Sequence, residues 1–132
     1  MKITADTNIL VRAIMDDDEL QSPLAQAELS NAEVVVLALT ALCELVWVMS
    51  RSYGVSFAEI AGVLRRLMHS ANVVVNRPAV EAGLILLEAG GDFADGVIAF
   101  EGLWLGAEAF STFDKRAASL LEAKGVTVRL LS

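Results

Sequence analysis

At 132 residues the chain suits one domain with a single core, and its 55% apolar content and mean hydropathy of +0.57 exclude a disordered or linker-rich protein. A formal net charge of −7 argues against a broad, non-specific nucleic-acid binder, although clustered carboxylates attract cations and a bound cation reverses the local field. The single cysteine, Cys43, excludes an internal disulfide and a cysteine-based zinc site and suits a reducing cytoplasm.

The chain opens on Lys2-Ile3-Thr4-Ala5, which predicts a short buried strand ending at Ala5 and a helix opening near Thr7 or Asn8. Asp6 stands at the joint. In an open parallel sheet the carboxyl ends of the strands are where ligands bind. Yet Asp-Thr-Asn is also an ordinary helix cap, since all three side chains accept hydrogen bonds from unpaired backbone N–H groups. Asp16-Asp17-Asp18-Glu19 reads as a solvated loop or as the negative first turn of the next helix. In that helix Leu20, Leu24, Ala25 and Ala27 recur at helical spacing before Ser30-Asn31.

Val34-Val35-Val36-Leu37 is β-branched and continuous, the pattern of a buried parallel strand. Thr40 is the expected cap of the following helix, with Leu42, Leu45, Val46 and Met49 on its apolar face, Trp47 beside them and Gly54 closing it. Ser56-Phe57-Ala58-Glu59 is a capping box that opens another helix, with Ile60, Val63, Leu64 and Leu67 inward and the sole histidine, His69, at its end. The apolar run from Val34 to Met49 is shorter than the roughly 20 residues of a membrane span and contains Glu44, so no span is expected.

Val73-Val74-Val75 predicts a third strand, and Asn76-Arg77-Pro78 a helix start that leads through Val80, Leu84 and Leu87 to Gly90-Gly91. Asp92-Phe93-Ala94-Asp95 opens the next helix, through Val97, Ile98 and Leu105 to Gly106. A fourth strand spans Ala109 to Phe113. Asp114 caps a helix closed by Gly125, and Val126 to Leu130 is the last strand. Strands alternating with helices give an α/β domain with a mostly parallel sheet. The two helices between the second and third strands form an inserted hairpin, and no internal repeat or linker divides the chain.

The acids Asp6, Glu44, Asp95 and Asp114, with Asp92 as a fifth, stand out by position. Asp92 and Asp95 could simply satisfy one helix N-terminus, and Asp114 another. Glu44 is harder to explain that way: it falls one residue late for a capping box on Thr40 and lies among Leu42, Leu45, Val46 and Trp47, where an unpaired carboxylate is costly to bury. Converging carboxylates raise one another's pKa unless a cation neutralises them. Oxygen donors without a His or Cys cluster point to Mg2+ or Mn2+ and to metal-assisted phosphoryl transfer.

The stretches Ala5–Arg12 (Ala-Asp-Thr-Asn-Ile-Leu-Val-Arg), Leu42–Val48 around Glu44, Asp92–Ala99 (Asp-Phe-Ala-Asp-Gly-Val-Ile-Ala) and Thr112–Ala117 (Thr-Phe-Asp-Lys-Arg-Ala) resemble the PIN-domain ribonucleases, and most of all the VapC-type toxins of bacterial toxin–antitoxin pairs. The resemblance covers essentially the whole chain as one PIN domain. It implies a three-layer α/β/α fold around a five-stranded, mostly parallel sheet, and Mg2+- or Mn2+-dependent cleavage of RNA. The family's catalytic and metal-binding acids fall on Asp6, Glu44, Asp95 and Asp114, and Asp92 matches a further acid of many relatives. Gly96 stands where Ala is usual. Asn8 and Thr112 match residues that support these acids. Arg12, Arg51, Arg65, Arg66, Lys115 and Arg116 are the candidate phosphate contacts, Arg12, Lys115 and Arg116 foremost, and Lys115 and Arg116, which directly follow Asp114, lie nearest the scissile phosphate. The same resemblance implies an RNA substrate such as tRNA, a cognate VapB-type antitoxin, a homodimer and a cytoplasmic setting.

A housekeeping PIN nuclease in RNA processing is the alternative. A receiver-like phosphoacceptor domain is a third reading. It would need an acidic pair after the first strand and a Lys after the fifth, whereas the chain has one Asp6 and ends Leu130-Leu131-Ser132.

Overall fold

The computed structural model describes residues 1–132 as two compact units, Met1–Asn76 and Arg77–Ser132. The first contains β1 (Lys2–Thr4), α1 (Thr7–Met15), α2 (Gln21–Asn31), β2 (Val34–Leu37), α3 (Leu39–Arg51), α4 (Phe57–His69) and β3 (Val73–Val75). The second contains α5 (Arg77–Glu88), α6 (Phe93–Trp104), β4 (Phe110–Thr112), α7 (Lys115–Ala123) and β5 (Val128–Leu130). All the strand pairs are parallel, as the alternation of strands and helices predicts. Their ladders form a three-stranded sheet in the order β1-β2-β3 and a two-stranded sheet of β4 and β5. No helix is long and apolar enough to cross a membrane.

In the first unit β2 is central, with Val35 opposite both Ile3 and Val73. The expectation of strands buried on both faces holds only in part. Side chains alternate across a strand, so Val35 and Leu37 are buried while Val36 and Val74, paired in register, are 41% and 52% exposed. The core of this unit is built from Leu10 on α1, Leu42, Leu45 and Met49 on α3, and Ile60 and Leu64 on α4. The α3–α4 hairpin stands between β2 and β3 as expected.

Two helix starts differ from the sequence expectation. α3 begins at Leu39 with Ala38 as its cap residue and no side-chain cap, so Thr40 lies inside the first turn. α2 turns a different face inward: Leu24 is 70% exposed and Leu20 more so, whereas Ser22 and Ala25 are buried. The cause is the acidic run. Asp18 Oδ1 accepts from Leu20 N (3.0 Å) and Gln21 N (2.7 Å), fixing the helix start, and small residues at positions 22 and 25 let α2 lie close on α1. Ser56 caps α4 as predicted, its Oγ accepting from Glu59 N at 3.2 Å.

In the second unit α5 and α6 pack on one another around Val80, Leu84, Leu87 and Phe93, all fully buried. Leu86, Ala99 and Leu121 join Phe110 and Val128 in a cluster that attaches the helices to the β4–β5 pair. Gly90, after α5, has φ +91°, a left-handed conformation that only glycine adopts without strain.

Candidate active site

Asp6 follows β1 after Ala5 and is the N-cap of α1, its Oδ1 accepting from Ile9 N at 2.9 Å. That bond fixes the carboxylate at the carboxyl end of the strand and leaves Oδ2 for a ligand. The bond comes from backbone rather than from Asn8, the residue expected to support it. Asp6 and Glu44 line one pocket of about 310 Å3 with Thr4, Thr7, Ala38 and Thr40, at the carboxyl ends of β1 and β2. Glu44 itself is exposed, because Ala41, Leu42, Leu45 and Val46 take the buried face of α3. The cost of burying a carboxylate therefore does not apply to it; its place in the Asp6 pocket is what marks it out.

A second groove, about 680 Å3, runs from Asp6 and Asn8 along α1 and α2 past Ile9, Arg12, Gln21, Leu24 and Glu28. Arg12, expected as a phosphate contact, is already engaged there. Its Nε donates to Gln21 Oε1 at 2.9 Å and its Nη1 pairs with Asp17 Oδ1 at 3.2 Å. Asp17 in turn accepts from Tyr53 Oη at 2.7 Å, and that bond, more than Arg12, holds the Asp17 carboxyl below its usual range. The sequence marks Asp17 only as one of a run of acids, and no local signal joins it to Tyr53.

In the second unit Asp92 is the N-cap of α6, its Oδ1 accepting from Ala94 N at 2.9 Å. Asp95 lies one turn on and is half-buried. Burial raises its pKa, and the charges of Asp92 and Asp114 raise it further. Asp114 follows β4 and caps α7, its Oδ1 accepting from Arg116 N (2.9 Å) and Ala117 N (3.1 Å). Thr112 accepts from Asp114 N through Oγ1 at 2.9 Å, a bond to the backbone of Asp114 rather than to its carboxylate. Arg116 Nε donates to Gly90 O at 3.2 Å, which ties this cation to the end of α5, while Lys115 stands exposed.

Asp6, Asp92 and Asp114 thus cap their helices as expected, each with one carboxylate oxygen, whereas Asp95 caps nothing. Neither unit by itself gathers three metal-ligating side chains into a cage. The donor set nevertheless suits a hard divalent cation. Asp92, Asp95 and Asp114 repel one another across a partly desolvated site, and a bound cation relieves that repulsion.

The PIN domain family model matches residues 3–122. No curated protein matches the chain.

Proposed function

The chain belongs to the PIN-domain family, whose members are in general metal-dependent nucleases, and from that premise we propose that it is an Mg2+- or Mn2+-dependent endoribonuclease acting in the cytoplasm as a VapC-type toxin. The observation that carries the nuclease reading is the placement of the acids. Asp6 and Asp114 sit at the carboxyl ends of parallel strands, Glu44 shares the Asp6 pocket, and Asp95 is pressed by its acidic neighbours.

In this reading Asp6, Glu44, Asp95 and Asp114 hold the cation, with Asp92 as an outer acid. When bound, a divalent cation acidifies an attacking water and stabilises charge on the phosphate and the leaving oxygen. The chain's own part is orientation. Backbone N–H bonds fix one oxygen of Asp6 and of Asp114, so the other oxygen of each has a set direction before any ligand arrives. Lys115, next to Asp114 and exposed, meets the phosphate backbone. Arg12 meets it only by sharing its charge with Asp17, whereas Arg116, held at Nε by the neutral Gly90 carbonyl, keeps its charge for the phosphate.

The toxin assignment rests on the likeness of the four sequence stretches to VapC-type chains. A homodimer and a VapB-type antitoxin are proposed with it, on the exposed apolar side chains Leu20, Leu24 and Trp47, which a partner would cover. The test is cleavage of a defined RNA, such as a tRNA, by purified protein. Activity is expected with Mg2+ or Mn2+, and is expected to vanish in EDTA and in Asp6→Asn. Undiminished cleavage in EDTA would overturn the metal mechanism. Growth arrest on induction, absent for Asp6→Asn and relieved by a short neighbouring reading frame, separates a toxin from a processing enzyme.

A further inference from the structure

Phe113 is 77% exposed, yet it lies between Thr112 and Asp114 in a turn held by side-chain bonds. Thr112 Oγ1 accepts from Asp114 N at 2.9 Å, and Asp114 Oδ1 accepts from Arg116 N and Ala117 N at 2.9 and 3.1 Å. The backbone on both sides of the ring is therefore fixed by side-chain bonds. An exposed aromatic on a mobile tip needs no explanation; one on a braced turn presents a face of set position. Its Cα is about 3.8 Å from that of Asp114, as adjacent residues must be.

The surroundings of the ring say what it fits. Ser111, Thr112, Asp114, Lys115 and Arg116 flank it in the chain, and Leu130 and Leu131, both partly exposed, lie beside Thr112 on the paired strand, so the ring joins an apolar edge on one side and an ionic run on the other. What separates it from an apolar docking patch is the charged run Asp114-Lys115-Arg116 that follows it directly. Trp104 is equally exposed, but it ends α6 nine residues beyond Asp95, about 13 Å along the helix axis. Trp47 is also exposed and stands one turn after Glu44 on α3, and of the three rings Phe113 is the one directly next to a candidate acid in the chain.

We propose that Phe113 is a stacking platform for one unpaired base of the nucleic-acid strand, beside the phosphate that Asp114 and Lys115 address. This rests on the nuclease reading above and adds to it a residue that selects unpaired substrate. Bases inside a duplex are stacked on each other and offer no face, whereas a nucleotide in a loop can stack on an aromatic side chain.

The test uses the full chain carrying Asp95→Asn, to prevent cleavage, and a fluorescein-labelled single-stranded RNA of mixed sequence, read by anisotropy. Phe113→Ala is expected to weaken binding by about 5–150-fold, the range for one base on an aromatic ring. Phe113→Tyr is expected to hold affinity within about twofold, since it keeps the stacking face. Phe113→Leu should bind as poorly as Phe113→Ala, because it is apolar but offers no π-face. The dependence of affinity on salt should stay unchanged in all three, since no charge is altered. A duplex of the same sequence should not distinguish the variants.

Full affinity in Phe113→Leu overturns the platform. So does unchanged RNA affinity in Phe113→Ala, and a shift in oligomer mass in that variant would then assign the ring to a protein surface. Absence of any single-stranded binding also overturns it. If the parent chain cuts single-stranded DNA but not RNA, and Phe113→Ala weakens DNA binding, the RNA reading fails while the platform stands.

Discussion

At the scale of single residues, Asp92 and Asp95 lie on one helical turn and do different work. Asp92 spends an oxygen on Ala94 N, a role that Asn fills about as well. Asp92→Asn should therefore fold normally and keep cleavage within about tenfold of wild type, no more than an outer-shell partner costs. Asp95 is half-buried and makes no cap. If Asp95 holds the cation as proposed, Asp95→Asn removes a charged ligand and should lower cleavage by more than the roughly 10–100-fold cost of an outer-shell loss.

The same change should stabilise the metal-free protein, and the sign follows from linkage. Burial and the charges of Asp92 and Asp114 raise the folded pKa of Asp95 above 3.8, so between the two values the folded state binds more protons than the unfolded one. The ionised carboxylate is thus a full penalty above the folded pKa, relieved as pH falls through it. Melting temperatures in EDTA should be higher for Asp95→Asn at pH 7, and the two proteins should converge below about pH 4, near the unfolded carboxylate value. Mg2+ or Mn2+ at matched ionic strength should raise the melting temperature of the wild type and do far less for Asp95→Asn. A wild type that melts higher than Asp95→Asn in EDTA at pH 7 would mean that Asp95 is a structural acid.

At the scale of elements, the packing of two helices gives a reason for glycine at position 96. A Cβ there would run into the carbonyl oxygen of Ala82 and approach Gly83 Cα to 2.8 Å. Gly83 in turn leaves room for the Phe93 ring and Val97. The two glycines bring α5 and α6 together at the turn that carries Asp95. Replacing a mid-helix glycine by alanine ordinarily gains about 1 kcal/mol, but an atom forced against backbone costs about 1–3 kcal/mol. Gly96→Ala should therefore lower stability and, by shifting Asp95, also lower cleavage. Gly102→Ala meets nothing nearer than Ala107 Cβ at 3.8 Å and should stabilise. Denaturant melts of both variants check the contrast, and a stabilised Gly96→Ala would refute the close approach.

This is also the scale at which the sequence was least legible. Caps at Asp6, Ser56, Asp92 and Asp114 could be read, because a cap is a bond between near neighbours in the chain. The inward face of α2 could not, since it was decided by Asp18 fixing the start and by small residues meeting α1, which outweighed the Leu20–Leu24 periodicity. The Arg12–Asp17–Tyr53 chain was hidden for a similar reason: Asp17 and Tyr53 are 36 residues apart. Of the candidate site, the acids were legible as a set only because four short motifs recur in order, and their individual roles as caps were equally visible.

At the scale of the whole molecule, 17 acids against 10 basic residues set the terms on which a polyanion can approach. An ordinary nucleic-acid binder loses affinity as salt rises, because its basic face releases counterions from the phosphates. Here one of the three cations assigned to the phosphates, Arg12, is already paired with Asp17, and a second, Arg116, is tied to the Gly90 carbonyl although it keeps its charge. Long-range repulsion should then limit encounter. At about 0.01 M ionic strength it reaches about 30 Å, and at 0.15 M only about 8 Å. With Mn2+ held saturating and cleavage blocked by Asp95→Asn, the association rate for single-stranded RNA should rise as KCl goes from 20 to 150 mM, by roughly the factor of ten or less that weak steering supplies. Stopped-flow anisotropy measures this directly. A rate that falls with salt would mean that Lys115 and its neighbours form a local basic track strong enough to overrule the net charge. In that case Lys115→Ala, and not screening, would be the change that slows encounter.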